Sequence, residues 1–184
     1  GEGRPIGDFF ARYGYAVAIQ DVRGRHASEG EFYPFRAEVG DGVDFTRWLK
    51  QQSWCNGKIG GFGASYLGFT QWAMAVENPD LTSIAPTLIT ANLYHGIYQG
   101  GAFGKLTFLD WSLQSYGRYG DWAGAKHADR GYRHFPLVES DDAALKDIPF
   151  YNDWTSHPVP DAYWRALNVD HRFPELTAPA FLTA

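Results

Sequence analysis

One stretch constrains the fold of this chain more than any other. A short apolar strand pattern over 58–62 runs without a spacer into Gly63-Ala64-Ser65-Tyr66-Leu67-Gly68. From Tyr66 the period changes: Tyr66, Phe69, Thr70, Ala73 and Met74 fall at i, i+3, i+4, i+7 and i+8, the stripe of a helix packed on one face. A strand that becomes a helix this abruptly needs a sharp turn. The turn needs small neighbours, which Gly63, Ala64 and Gly68 supply. Ser65 sits at its apex. In that position its hydroxyl is lifted above the sheet, and the N–H of Tyr66 at the helix start faces the charge that a tetrahedral intermediate develops. The second glycine of the G-x-S-x-G pattern stands one residue late, because position 67 is Leu. The bland alternative is that Ser65 caps a helix and the glycines only permit close packing.

The surrounding pattern is that of an α/β fold. Residues 15–20 form a nearly continuous apolar run, suited to a parallel strand buried on both faces. A polar loop extends to Gly30, and a helix is expected over 36–52. Asn56-Gly57 marks a turn, and another strand is expected over 83–90, interrupted by Pro86. Strand and helix alternation of this kind builds right-handed βαβ units and a parallel sheet. Beyond residue 92 the alternation stops. Gly100, Gly101, Gly104, Gly117, Gly120 and Gly124 interleave with Tyr98, Phe103, Phe108, Trp111, Tyr116, Tyr119 and Trp122. Short helices are expected over 141–145 and 161–167, and a returning strand over 179–184. The expected division is therefore 1–91 as a partial sheet core with the sharp turn, 92–167 as a mainly helical cap, and 168–184 as a return to the core.

Composition narrows the function classes. The net charge of -5 offers no electrostatic reason to expect nucleic acid or an anionic membrane, and no apolar run approaches the ~18 residues of a membrane span. A single cysteine, Cys55, rules out an intrachain disulfide and is read as a packed spacer. With no leader-like stretch in the sequence, it favours a cytoplasmic compartment. The histidines His26, His95, His127, His134, His157 and His171 include no H-x-x-x-H pair, so no metal is expected. Gly100-Gly101-Ala102-Phe103-Gly104 lacks the Lys-Ser/Thr of a phosphate loop. Asp21 and Arg23 are expected to form an ion pair beneath the turn. Asp141-Asp142 reads as a solvated helix start.

Four stretches in order carry a family resemblance. They are 14–24 (GYAVAIQDVRG), 28–32 (SEGEF), 54–60 (WCNGKIG) and 63–68 (GASYLG). The sequence resembles the group of α/β-hydrolases that includes X-prolyl dipeptidyl-peptidases, cocaine esterases and α-amino-acid ester hydrolases, whose turn is itself G-x-S-Y-x-G. The resemblance implies a serine hydrolase acting on an ester, an amide or a short peptide, without a cofactor. It implies Ser65 as nucleophile and the Tyr66 N–H as one oxyanion donor. It places the second donor upstream of these residues, and the triad acid and histidine downstream of them. Tyr98 and Trp111 fall at positions resembling aromatics that line the family's acyl pocket; the alternative is that they form the cap's own core. Two other functions remain open: acyl transfer through the same acyl-enzyme, and a non-catalytic binding domain of the same fold.

Overall fold

A computed structural model of the chain describes residues 4–120 and 127–183. Trp122, Gly124 and Ala184 lie outside them. From its N-terminal side the chain forms α1 (Arg4–Ala11), α2 (Glu38–Lys50), β1 (Ile59–Ala64), α3 (Tyr66–Ala75) and β2 (Leu81–Thr87). Gly57 adopts φ +83 while the Lys58 N–H donates to Asn56 Oδ1 at 3.0 Å, so Asn56-Gly57 makes the turn that launches β1. β1 and β2 pair in parallel, with Gly61 opposite Ile84 and Ala64 opposite Thr87, and α3 is the crossover between them.

The returning segment lies along the other edge of β2. Ile84 bridges Ala180 and Thr87 bridges Thr183, both in parallel. The Ile84 N–H donates to Pro179 O at 3.0 Å and the Phe181 N–H to Ile84 O at 2.9 Å. The spatial order is thus β1, β2, 179–183, all parallel. β2 contains Pro86 and ends at Thr87, three residues short of the expected range.

Residues 15–20 depart from expectation. They join no ladder among the described residues, and Tyr15, Val17 and Ile19 are 65%, 40% and 59% exposed. A parallel strand is buried when neighbouring strands pair with its edges and helices cover its two faces. Here neither edge has a paired strand among the described residues. α1, which the pattern did not announce, lies beside this segment, with the Phe10 ring 6.0 Å from Tyr15 and 5.2 Å from Phe62 on β1.

The rest is a helical layer: α4 (Leu93–Ile97), a hairpin of β3 (Tyr98–Gln99) and β4 (Ala102–Phe103), α5 (Lys105–Ser115), α6 (Ala128–Arg133), α7 (Ser140–Ala143), α8 (Pro149–Ser156) and α9 (Ala162–Leu167). Gly100 and Gly101 both take positive φ, as a two-residue hairpin turn requires. Trp154, Trp164, Tyr151 and Phe150 are fully buried and form the centre of this layer. Asp161 caps α9 by accepting the Tyr163 N–H at 2.9 Å. The Asp141-Asp142 pair is not a solvated helix start. Asp142 is exposed, but Asp141 is 0% exposed and its Oδ2 accepts the Ile148 N–H at 2.7 Å. Adjacent helical residues point about 100° apart, so one carboxylate can turn inward while the other stays wet. Among the described residues no helix is long and apolar enough to cross a membrane.

Candidate active site

At Ser65 the chain turns from β1 into α3 within one residue, at φ 55 and ψ -127. Only a few per cent of non-glycine residues take positive φ, and holding such a conformation costs on the order of 1–3 kcal/mol. The Ser65 N–H donates to Thr87 O at 2.9 Å, which fixes the turn over the end of β2. Although Ser65 stands at the N-cap position, its side chain makes no capping hydrogen bond, and the residue is exposed. The capping alternative therefore fails on geometry.

The glycines are there for space. A Cβ on Gly63, at φ +151, would stand 2.6 Å from Leu67 Cβ, and one on Gly68 would stand 2.4 Å from Ile89 Cγ2. Gln71, one turn further along α3 and buried, staples the turn from beneath. Its Nε2 donates to Gly63 O and Leu67 O at 3.1 and 2.8 Å, and its Oε1 accepts the Ala85 N–H of β2 at 2.9 Å.

Tyr66 opens α3, so its N–H has no intrahelical acceptor. Its side chain points away into a polar and aromatic mount. The Tyr66 hydroxyl donates to Glu38 Oε1 and accepts the Phe35 N–H, the latter at 3.2 Å. The ring stacks on Phe35 with centroids 4.8 Å apart, and on Trp111 at 6.2 Å with 12° between planes. Burial, followed by the Glu38 charge, holds the Tyr66 phenol well above its ordinary range. Burial likewise raises the Glu38 carboxyl.

The loop before α2 ties this mount to the helical layer. Gly24 has φ +74, and a Cβ there would lie 2.1 Å from Phe32 N. Arg23 pairs with Asp41 of α2, Nε to Oδ2 at 3.0 Å, instead of with the expected Asp21. Arg25 donates to Ser115 O at the end of α5 and to Gly117 O just past it, while Arg118 returns donors to His26 O and Ser28 O at 3.0 and 2.8 Å. This stitching seats α5, and with it Trp111, over Tyr66.

Trp111 is half-buried between Tyr66 and Trp154, 5.8 Å from the latter. It also lines a surface groove of about 440 Å³ with Leu106, Thr107, Asp110, Gln114 and Tyr132. Tyr98 is placed differently. It is 4% exposed, its hydroxyl donates to Trp154 O at 3.0 Å, and burial pushes its phenol up to about 12. Among the described residues no histidine is hydrogen-bonded to Ser65. His157 Nδ1 instead meets Asp161 at 2.6 Å, and His134 meets Glu139 at 3.3 Å. No group of three or more His, Cys, Asp or Glu side chains among the described residues could hold a metal ion. Spacing did not single out Glu38, Phe35 or Gln71. No local signal marks them: Phe35 and Glu38 reach the turn from the segment that opens α2, some 30 residues upstream, and Gln71 reads in sequence as one more residue of α3.

The chain is 36% identical over 194 residues to a cocaine esterase of Rhodococcus sp. (strain MB1 Bresler), a match covering 95% of this chain and 34% of that protein. It also superposes on the crystal structure of an aminopeptidase from the marine sediment archaeon Thaumarchaeota archaeon, with a TM-score of 0.78 at 22% identity, covering 95% of this chain and 32% of that one. The fold is a partial α/β-hydrolase fold, and the chain spans about a third of the length of these relatives. The family profile of the X-Pro dipeptidyl-peptidase (S15 family) matches residues 2–184. A match of that extent makes this chain a member of the X-Pro dipeptidyl-peptidase (S15) family.

Proposed function

We propose that this chain carries the nucleophile of a serine hydrolase, with Ser65 attacking an ester or amide carbonyl. The observation that carries the reading is the backbone of Ser65: a strained φ of 55 on an exposed serine whose hydroxyl serves no cap. Strain of this kind persists where the surrounding structure holds it, and it leaves Oγ presented above the strand end. In the reaction, the Ser65 Oγ–C bond forms as the carbonyl π pair moves to oxygen. A base takes the hydroxyl proton. Collapse then breaks the bond to the leaving alcohol or amine, which takes up that proton, and water releases the acid from the acyl-enzyme. The Tyr66 N–H, lacking an intrahelical acceptor, donates to the oxyanion. The base and its acid belong to parts of the full-length protein beyond residue 184 in this reading. No cofactor takes part.

The helical layer 92–167 acts as the cap. Trp111 is its wall against the acyl group, since its indole lies flat over Tyr66 and opens onto a groove. Tyr98 is buried with its hydroxyl on Trp154 O, so in this reading it supports the core of the cap and does not itself meet the acyl group. A flat aromatic wall favours a bulky or aromatic acyl group over acetate. The similar proteins are named for ester and peptide substrates, and the ester reading is supported by the 36% identity to a cocaine esterase.

The test is steady-state and burst-phase hydrolysis of p-nitrophenyl esters by the full-length protein. Ser65→Ala should lose on the order of 10⁴- to 10⁶-fold in kcat with an unchanged melting temperature. Turnover near the wild-type rate in that variant would remove Ser65 from the mechanism.

A further inference from the structure

Glu38 is costly where it stands. It is 7% exposed, and its Oε2 is buried without a hydrogen-bond partner among the described residues. Burying a carboxylate with part of its acceptor capacity unmet opposes folding. Backbone N–H groups of Phe35, Ala37 and Glu38 itself also favour the charged carboxyl, and the one side chain hydrogen-bonded to it among the described residues is the hydroxyl of Tyr66. That residue directly follows Ser65, and its N–H is the one aimed at the reacting oxygen in the reading above.

The arrangement around Tyr66 is directional. The hydroxyl is held from two sides, by Glu38 as acceptor and by the Phe35 N–H as donor at 3.2 Å, and both come from the segment that opens α2. The ring is stacked on Phe35 at 4.8 Å. The far end of the Tyr66 side chain is thus pinned to one element while its backbone makes the turn between two others. Rotation of the Tyr66 peptide about the turn would pull the hydroxyl off Glu38. A single donor aimed at an oxyanion is sensitive to such rotation, because its contribution falls with both distance and angle.

We infer that Glu38 is a positioning residue for the oxyanion donor: by accepting the Tyr66 hydroxyl, it fixes the direction in which the Tyr66 N–H points. This inference rests on the reading of Ser65 as nucleophile. It assigns a task to a buried carboxylate that hydrolysis itself does not use.

The experiment compares Glu38→Leu, Glu38→Gln, Tyr66→Phe and the double variant Glu38→Leu/Tyr66→Phe in the full-length protein, with a p-nitrophenyl ester and with melting curves. Glu38→Leu and Tyr66→Phe should each lower kcat about 10- to 100-fold with KM within about 3-fold, the signature of an interaction made in the transition state. Glu38→Gln keeps an acceptor and should stay within about 3-fold of wild type, and the double variant should be no worse than the poorer single one. Tyr66→Phe removes one oxygen and keeps the ring, so it carries the test if Glu38→Leu fails to fold. Wild-type kcat in Tyr66→Phe, or losses that multiply in the double variant, would overturn the inference. Ser65→Ala is measured alongside. Activity surviving there refutes the nucleophile itself, whereas loss there with none in Tyr66→Phe refutes only the positioning role.

Discussion

Replacing Gly68 by Ala is a minimal change that should separate stability from catalysis. Gly68 lies inside α3 and has no positive φ, so by helix propensity alone Ala would be preferred by up to about 1 kcal/mol. Space reverses this. The new Cβ would lie 2.4 Å from Ile89 Cγ2 and 3.2 Å from Thr87 O. Carbon–carbon contacts settle at about 3.5–4.0 Å, so the two elements must separate by roughly 1 Å. Neither obstacle is the free end of a long side chain: one is a β-branched methyl, the other backbone. Overpacking of this size costs about 1–3 kcal/mol, which leaves a net destabilisation of about 0–2 kcal/mol after the propensity gain. The catalytic effect should be larger. The first turn of α3 carries the Tyr66 N–H, and a shift of about 1 Å in a catalytic group costs on the order of 100-fold in rate. The assay is kcat for a p-nitrophenyl ester together with the melting temperature, in the full-length protein. Gly40→Ala serves as control, since a Cβ there meets nothing within 4 Å. It should be neutral or stabilising with unchanged kcat. A Gly68→Ala protein with kcat within about 3-fold of wild type would refute the argument that the close approach of α3 to residues 87–89 sets the geometry of the turn.

Trp111→Ala should lower kcat/KM for a benzoate ester about 10- to 100-fold more than for an acetate ester, the scale of one lost pocket contact; equal losses on both would make Trp111 packing alone. Tyr98→Phe removes the hydrogen bond to Trp154 O and should cost about 1 kcal/mol of stability, with no preference between the two esters. Asp141 gives a pH prediction. Burial raises its carboxyl to about 6, above its unfolded value, so its contribution is fully present below about pH 4 and is lost as pH rises through 6. Asp141→Asn, which keeps an acceptor for the Ile148 N–H, should therefore gain stability over wild type as pH goes from 4 to 7. A gap that stays constant in denaturant titrations at the two pH values would contradict this.

The strand, turn and helix around Ser65 were legible because their signals are local: a change of period, small residues at the turn, and an Asn-Gly launch. The helical character of the later residues was legible for the same reason. The hairpin at 98–103 carries a local turn signal in Gly100-Gly101, but its strands are two residues each, too short to show a period. What stayed hidden depends on pairing across the chain. An apolar run at 15–20 states a preference for burial but does not supply the neighbour that would bury it. The Glu38–Tyr66 contact spans 28 residues and joins α2 to α3, and Tyr33 reaches Asp153 across 120; neither spacing leaves a periodic trace. Asp141 shows the same limit on a small scale: the sequence shows two adjacent carboxylates, and only packing decides which one turns inward.

The account rests on Ser65. The most direct measurement is mass spectrometry of the full-length protein after reaction with a fluorophosphonate, followed by the same experiment on Ser65→Ala. A phosphonylated peptide containing Ser65, with labelling abolished in the variant, is the predicted result. Stoichiometric labelling at another serine, or labelling of Ser65→Ala at the wild-type rate, would contradict the account.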